Sequence, residues 1–244
     1  SHPASSHRQK TGVTVRLEAV RAEAYCRAPT GRYVVWDHAA LWCLNEELSG
    51  SIVWGEPRED EMRQLFRVRT QVLSAEGTEP HAVVTDLRRL ARGGASVFAA
   101  FAGFITSNRE VLGRKSRGMA VLRPQDELLG AMAEGYPTVA PGPFVTQVFR
   151  DLDPALRWLG VAARAECTAA LTQFSDRLQS QDVFLDALRA TLAEDPDGAT
   201  VATVARAMAV STRTLARRLA HVGTSFTDEL RRIRAAVHGG SAHI

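Results

Sequence analysis

The chain has 244 residues, 45% hydrophobic and 23% charged, a mixture that excludes wholesale disorder, collagen and a disulfide-stapled miniprotein. The longest apolar run, residues 95–105, is too short for a bilayer that needs about 20 residues, and residues 1–25 show no apolar leader core, so no membrane partner is expected. The formal net charge of +3 is unevenly placed: residues 197–244 carry seven Arg against Asp197, Asp228 and Glu229, while residues 1–196 are slightly acidic. That asymmetry points to a polyanion, with nucleic acid the first candidate.

Residues 1–11 are small, polar and aperiodic and are read as a disordered end, and residues 1–30 as a flexible or ambiguous segment with one strand over 13–19. His2 and His7 have no accompanying ligands, so no metal site is expected. From Arg32 the pattern sharpens. Residues 33–36, 39–44 and 51–54 are β-prone, with a turn at Leu48-Ser49-Gly50. Residues 59–73 have helical spacing, 82–85 form a strand ending at Asp86, and 88–94 form a loop. A helix over 95–111, a strand over 119–122, a helix over 126–134, a strand over 144–149 and a helix over 153–159 follow. This order describes an α/β domain over 31–160 with a mixed or largely parallel sheet.

Beyond Gly160 the β-prone runs stop. Helices are expected over 162–178 and 183–193, so that 161–198 reads as a helical linker and first helix of the next domain. A turn follows at Asp195-Pro196-Asp197-Gly198. Thr200 is placed as the N-cap of a helix with Val201, Val204, Ala205 and Met208 on one face. A turn through Ala209 and Val210 leads to a second N-cap, Ser211. The next helix buries Leu215 and Leu219, leaving Thr212, Arg213, Ala216 and Arg217 outward, with Arg218 further round. Two short helices joined this way make a helix-turn-helix, whose second helix enters the major groove. Arg213 and Arg217, one turn apart, suit bidentate contacts to guanine; Arg218 suits a phosphate.

The run 204–219, with its S-x-R-x-L-x-R-x-L core and the following Gly223-Thr224-Ser225-Phe226, resembles the first helix-turn-helix of AraC-family transcription regulators. The resemblance implies that Arg213, Ala216 and Arg217 face the groove. It also implies a second such unit after a connecting helix that starts at Phe226. The residues up to Ile244 do not hold that unit, and 199–244 is therefore read as a truncated form.

The segment ending in Asp86, the apolar helix after it and the closing run 148–159 resemble STAS or SpoIIAA-like domains, which bind proteins and are in some cases switched by phosphorylation. Ser96 lies near the modified position, without the family's Asp-Ser pair. The fold class is thus α+β/α/β: a STAS-like N-terminal domain with a mixed sheet, then an all-α helix-turn-helix region.

Gly93-Gly94-Ala95-Ser96 lacks a nucleotide-binding pattern. Trp36, Trp42, Trp54 and Phe66 are read as core, with a ligand cavity the alternative. Glu46, Glu47, Asp60 and Glu61 lie in surface-like runs. Cys26, Cys43 and Cys167 match no CxxC spacing and fit a reducing cytoplasm; His38 and Cys43 are not expected to meet. No catalytic residue and no cofactor is expected. The expected partners are double-stranded DNA and, at the N-terminal domain, a regulatory protein or small-molecule effector, with a homodimer left open. A STAS-like protein-interaction module with a vestigial DNA-binding tail is the alternative function.

Overall fold

The computed structural model describes residues 17–75, 79–179, 181–208, 210–221 and 223–239. The expected disordered end, His2, His7, the start of the 13–19 strand, Ala209 and the tail after Gly239 lie outside the described residues. In chain order the elements are β1 (Glu18–Ala19), α1 (Ala22–Arg27), β2 (Arg32–Val35), β3 (Ala39–Asn45), β4 (Leu48–Val53), α2 (Glu59–Ser74), β5 (His81–Asp86), α3 (Gly94–Ser107), α4 (Arg109–Lys115), β6 (Ser116–Leu122), α5 (Glu127–Val139), β7 (Thr146–Phe149), α6 (Leu152–Trp158), α7 (Arg164–Gln179), α8 (Gln181–Glu194), α9 (Val201–Ala207), α10 (Thr212–His221) and α11 (Phe226–Gly239).

The seven strands form one mixed sheet in the order β1-β2-β3-β4-β5-β6-β7. β2, β3 and β4 are antiparallel neighbours, and β4 to β7 run parallel, as does β1 beside β2. Strands alternate faces with period two, and here both faces are apolar. Leu41, Cys43, Val83, Met119 and Val121 point to one layer, packed with Tyr25 and with α2 to α5. Ala40, Trp42, Leu44, Ala82, Val84, Ala120 and Leu122 point to the other, packed with α6 and α7. Successive crossovers advance the same way across the sheet and right-handed connection puts their helices on one side, which accounts for α2 to α5 sharing a face.

Several boundaries differ from the sequence reading. The expected turn at 48–50 is strand: β4 begins at Leu48, and the reversal sits one step earlier, where Asn45 Oδ1 accepts the Glu47 and Leu48 N–H groups at 3.0 and 2.9 Å. Gly50 is required by packing and not by a turn, since a Cβ there would stand 2.5 Å from Trp42 Cζ2. The single helix expected over 95–111 is two, broken at Asn108, whose side-chain amide donates to the Phe104 carbonyl (2.9 Å) while Thr70 Oγ1 donates to its oxygen (3.2 Å). Such local bonding competes with helix continuation. α5 runs on to Val139 with Pro137 in its last turn, past the expected end at 134. Residues 17–27 are ordered against the sheet, with Leu17 and Tyr25 buried, in place of the ambiguous segment expected there.

After Gly160 the described elements are all helical, and the first of them still packs on the sheet. Cys167, Leu171, Phe174 and Leu178 of α7 belong to the sheet's second layer, and Arg89 Nη2 donates to Asp176 at 2.7 Å. A separate core begins with α8: Phe184, Leu188 and Leu192 pack with Val204, Ala205, Leu215 and Leu219 of α9 and α10, and with Phe226, Leu230 and Ile233 of α11. No helix among the described residues is long and apolar enough to cross a membrane.

Candidate nucleic-acid interface

Two side-chain caps set the short helices α9 and α10. Thr200 Oγ1 accepts the Thr203 N–H (3.1 Å) and Thr203 Oγ1 accepts the Thr200 N–H (2.9 Å), satisfying two donors that a helix start leaves open. Ser211 Oγ accepts the Thr214 N–H (3.1 Å), and the two hydroxyls are paired at 2.9 Å. Between the helices, the Val210 N–H donates to the Ala205 carbonyl at 2.9 Å. These bonds leave α10 one way to seat its apolar stripe, and Thr214, Leu215 and Leu219 are buried.

The opposite side of α10 is open. Thr212, Arg213, Ala216 and Arg217 are exposed, and neither Arg213 nor Arg217 forms an ion pair among the described residues. Four residues of α-helix advance about 6 Å, so the two guanidiniums stand one turn apart on the same exposed side of α10. Thr212 also borders a cleft of about 620 Å³ shared with Arg58, Asp60, Gln64 and Arg67 along the first half of α2.

Arg218 is placed differently from the phosphate contact expected of it. Its Nε lies 2.8 Å from Asp37 Oδ1, its Nη2 donates to the Asp37 carbonyl at 2.8 Å, and its guanidinium stands 5.0 Å from the Phe184 ring centroid. Burial pulls its pKa down, against the pull of Asp37. The carboxylate of Asp37 is almost wholly buried between Arg218 and Arg58, whose Nη1 donates to Oδ2 at 3.3 Å. Beside it, Glu61 Oε1 accepts the His38 N–H (2.8 Å), and Oε2 accepts the Arg58 N–H (2.9 Å) and lies 3.2 Å from His38 Nδ1. Burial raises the Glu61 carboxyl, yet the bonds from His38 and Arg58 outweigh it and hold the group below the ordinary glutamate value. His38 therefore meets Glu61.

α11 is tied to α8 by one buried carboxylate. Glu229 accepts from Arg189 Nε (2.7 Å), Arg232 Nη1 (2.5 Å) and Thr224 Oγ1 (2.9 Å). The Arg189 bond is the main cause holding its pKa below the usual glutamate range. Arg21, just after β1, pairs with Glu194 at the C-terminal end of α8.

Sequence reasoning missed Asp37, Glu61 and Arg69, all buried. Glu61 had been placed in a surface run; its position three residues after Arg58, at a helix start, is the signal that it turns inward to the backbone. Of the aromatics weighed as a cavity, Trp36 and Trp42 are core residues, and Phe66 stacks on Phe104 at 4.7 Å between centroids. Ser96 is exposed and donates to the Gly93 carbonyl at 2.9 Å. Among the described residues no group of three or more His, Cys, Asp and Glu is arranged to hold a metal. Comparison with known protein families, with curated proteins and with solved structures finds no match.

Proposed function

We propose that the chain is a sequence-specific DNA-binding transcriptional regulator of the AraC type, non-enzymatic, in which α10 enters the major groove and a STAS-like N-terminal domain carries the regulatory input. The observation that supports this reading is the face of α10: Arg213, Ala216 and Arg217 are uncovered, both arginines are unpaired among the described residues, and the opposite face is locked into a core by Leu215 and Leu219. Guanidiniums free to donate two parallel bonds are what base recognition at guanine needs. The test is selection of bound duplexes from a random-sequence library with the full chain. Enrichment of a defined motif that Arg213→Ala loses supports the proposal. Recovery of unrelated sequences, or of none, sinks it.

The second reading, a STAS-like interaction module with a vestigial DNA-binding tail, draws on the engagement of Arg218 by Asp37, which leaves α10 with one basic residue fewer to offer a polyanion. It predicts no enriched motif, together with capture of a protein by the sheet domain.

A further inference from the structure

The second half of α2 carries a charge where its pattern calls for an apolar residue. Met62, Leu65, Phe66, Arg69 and Leu73 lie at i, i+3, i+4, i+7 and i+11, on one helix face, and all five are buried. Arg69 is 6% exposed, and no carboxylate among the described residues pairs with it. The Phe104 ring, with its centroid 5.7 Å from the guanidinium carbon, gives partial compensation but accepts none of its five N–H donors in the way an oxygen does. A buried guanidinium without a counter-charge is costly, and burial, opposed in part by Tyr25, brings its pKa down to about 10. At neutral pH it is still a cation.

Arg69 lines a cavity of about 340 Å³ between α1, α2, β3 and β4, within the size range of small-molecule sites. Leu41, Val72 and Leu73 give it apolar walls, and Tyr25 is also on its lining. Burial pushes the Tyr25 pKa well up, so its hydroxyl keeps its proton and remains a donor. His81, also on the wall, is pushed down by burial and by Arg69, Arg117 and Lys115, and is neutral at pH 7. Glu46 and Glu79 are on the lining too, but both are exposed, as is Arg27. The cavity thus offers one buried positive charge with its fork of donors and a mainly apolar wall, beside the polar Thr30, Asn45 and Ser49.

We infer that this cavity binds a small monocarboxylate with a compact apolar body, its carboxylate seated on Arg69. A single cation matches a single negative charge better than a phosphate dianion, and the planar fork of arginine fits a carboxylate with two bonds. The site is formed by the sheet domain alone and does not depend on the DNA-binding reading.

The test is thermal unfolding of the full chain, without DNA, in increasing concentrations of benzoate, phenylacetate and hexanoate, each beside its neutral amide. At least one carboxylate should raise Tm saturably, and its amide should not. Arg69→Met should abolish the response while raising the Tm of the unliganded protein, because an uncompensated charge is replaced by a side chain of similar length. Arg69→Lys should weaken binding at least tenfold. If Arg69→Met fails to fold, Val72→Phe carries the test, since it narrows the cavity with Arg69 in place and should also abolish the response. The inference is overturned if none of the three carboxylates raises Tm, if the amides act equally, or if the response survives these substitutions.

Discussion

Asp37 and Arg218 are 181 positions apart in sequence, yet Oδ1 and Nε are 2.8 Å apart, and the same guanidinium also donates to the Asp37 carbonyl. One residue belongs to the turn between β2 and β3, the other to the helix that presents Arg213 and Arg217. The pair is largely shielded from water, so removing Arg218 leaves the buried Asp37 carboxylate to Arg58 alone. Arg218→Ala should lower unfolding stability by about 1–3 kcal/mol, read from urea denaturation. With its charge already answered by Asp37, the substitution should leave the salt dependence of DNA binding unchanged. A fall of about one in that slope would show instead that Arg218 is released to a phosphate.

For Arg213 and Arg217 the expectation is opposite in kind. Replacing either with Ala should leave stability within about 0.5 kcal/mol, as for an exposed residue without partners. It should cost about 1–3 kcal/mol at the selected operator and relax base choice locally. Gel-shift titrations against the operator and a scrambled duplex measure both effects; equal losses on the two duplexes would rule out base readout.

Acid should weaken the protein through Glu61 and Glu229. Both carboxyls have folded pKa values below the ordinary 4.5, so below that value the unfolded chain takes up protons that the folded one refuses. Their stabilising contribution is complete above about pH 5 and is lost as pH falls through the folded values. Glu229→Gln should cost about 1–3 kcal/mol at pH 7, where a charge-assisted bond network is lost. The gap from the unaltered protein should narrow as pH falls below the ordinary glutamate range. Urea midpoints at neutral pH and below that range test this, and a constant gap would contradict it.

Gly50→Ala places a methyl against the Trp42 ring and the Val84 carbonyl in the middle of the sheet. Backbone cannot yield there without disturbing two ladders, and a cost of about 3 kcal/mol is expected, read as a lower thermal midpoint with α10 and its exposed face unaffected.

The legible parts of the sequence were those with local causes. Unbroken β-prone apolar runs at 39–44 and 119–122 marked strands, and the spacing of Leu215 and Leu219 marked the buried side of α10, because each pattern is complete within a few residues. The mixed sheet and the α/β class followed from element order. What escaped notice depended on distant partners. Nothing local singles out Asp37 until Arg218 arrives beside it, and Arg69 drew no notice although its position on the Met62–Leu73 stripe points inward. The helix break at Asn108 needed Thr70, on another helix, to hold the side chain. The 48–50 turn was misplaced because Gly50 signals reversal in most contexts, whereas here it makes room for Trp42.

The strand order has a consequence for synthesis. Each strand pairs with its immediate predecessor in the chain, so none must be threaded between two already joined. As the polypeptide leaves the ribosome, at about 5–20 residues per second, every new strand meets a waiting edge. The sheet can therefore be finished before the arginine-rich last fifth emerges, and Asp37 is already seated when Arg218 reaches it.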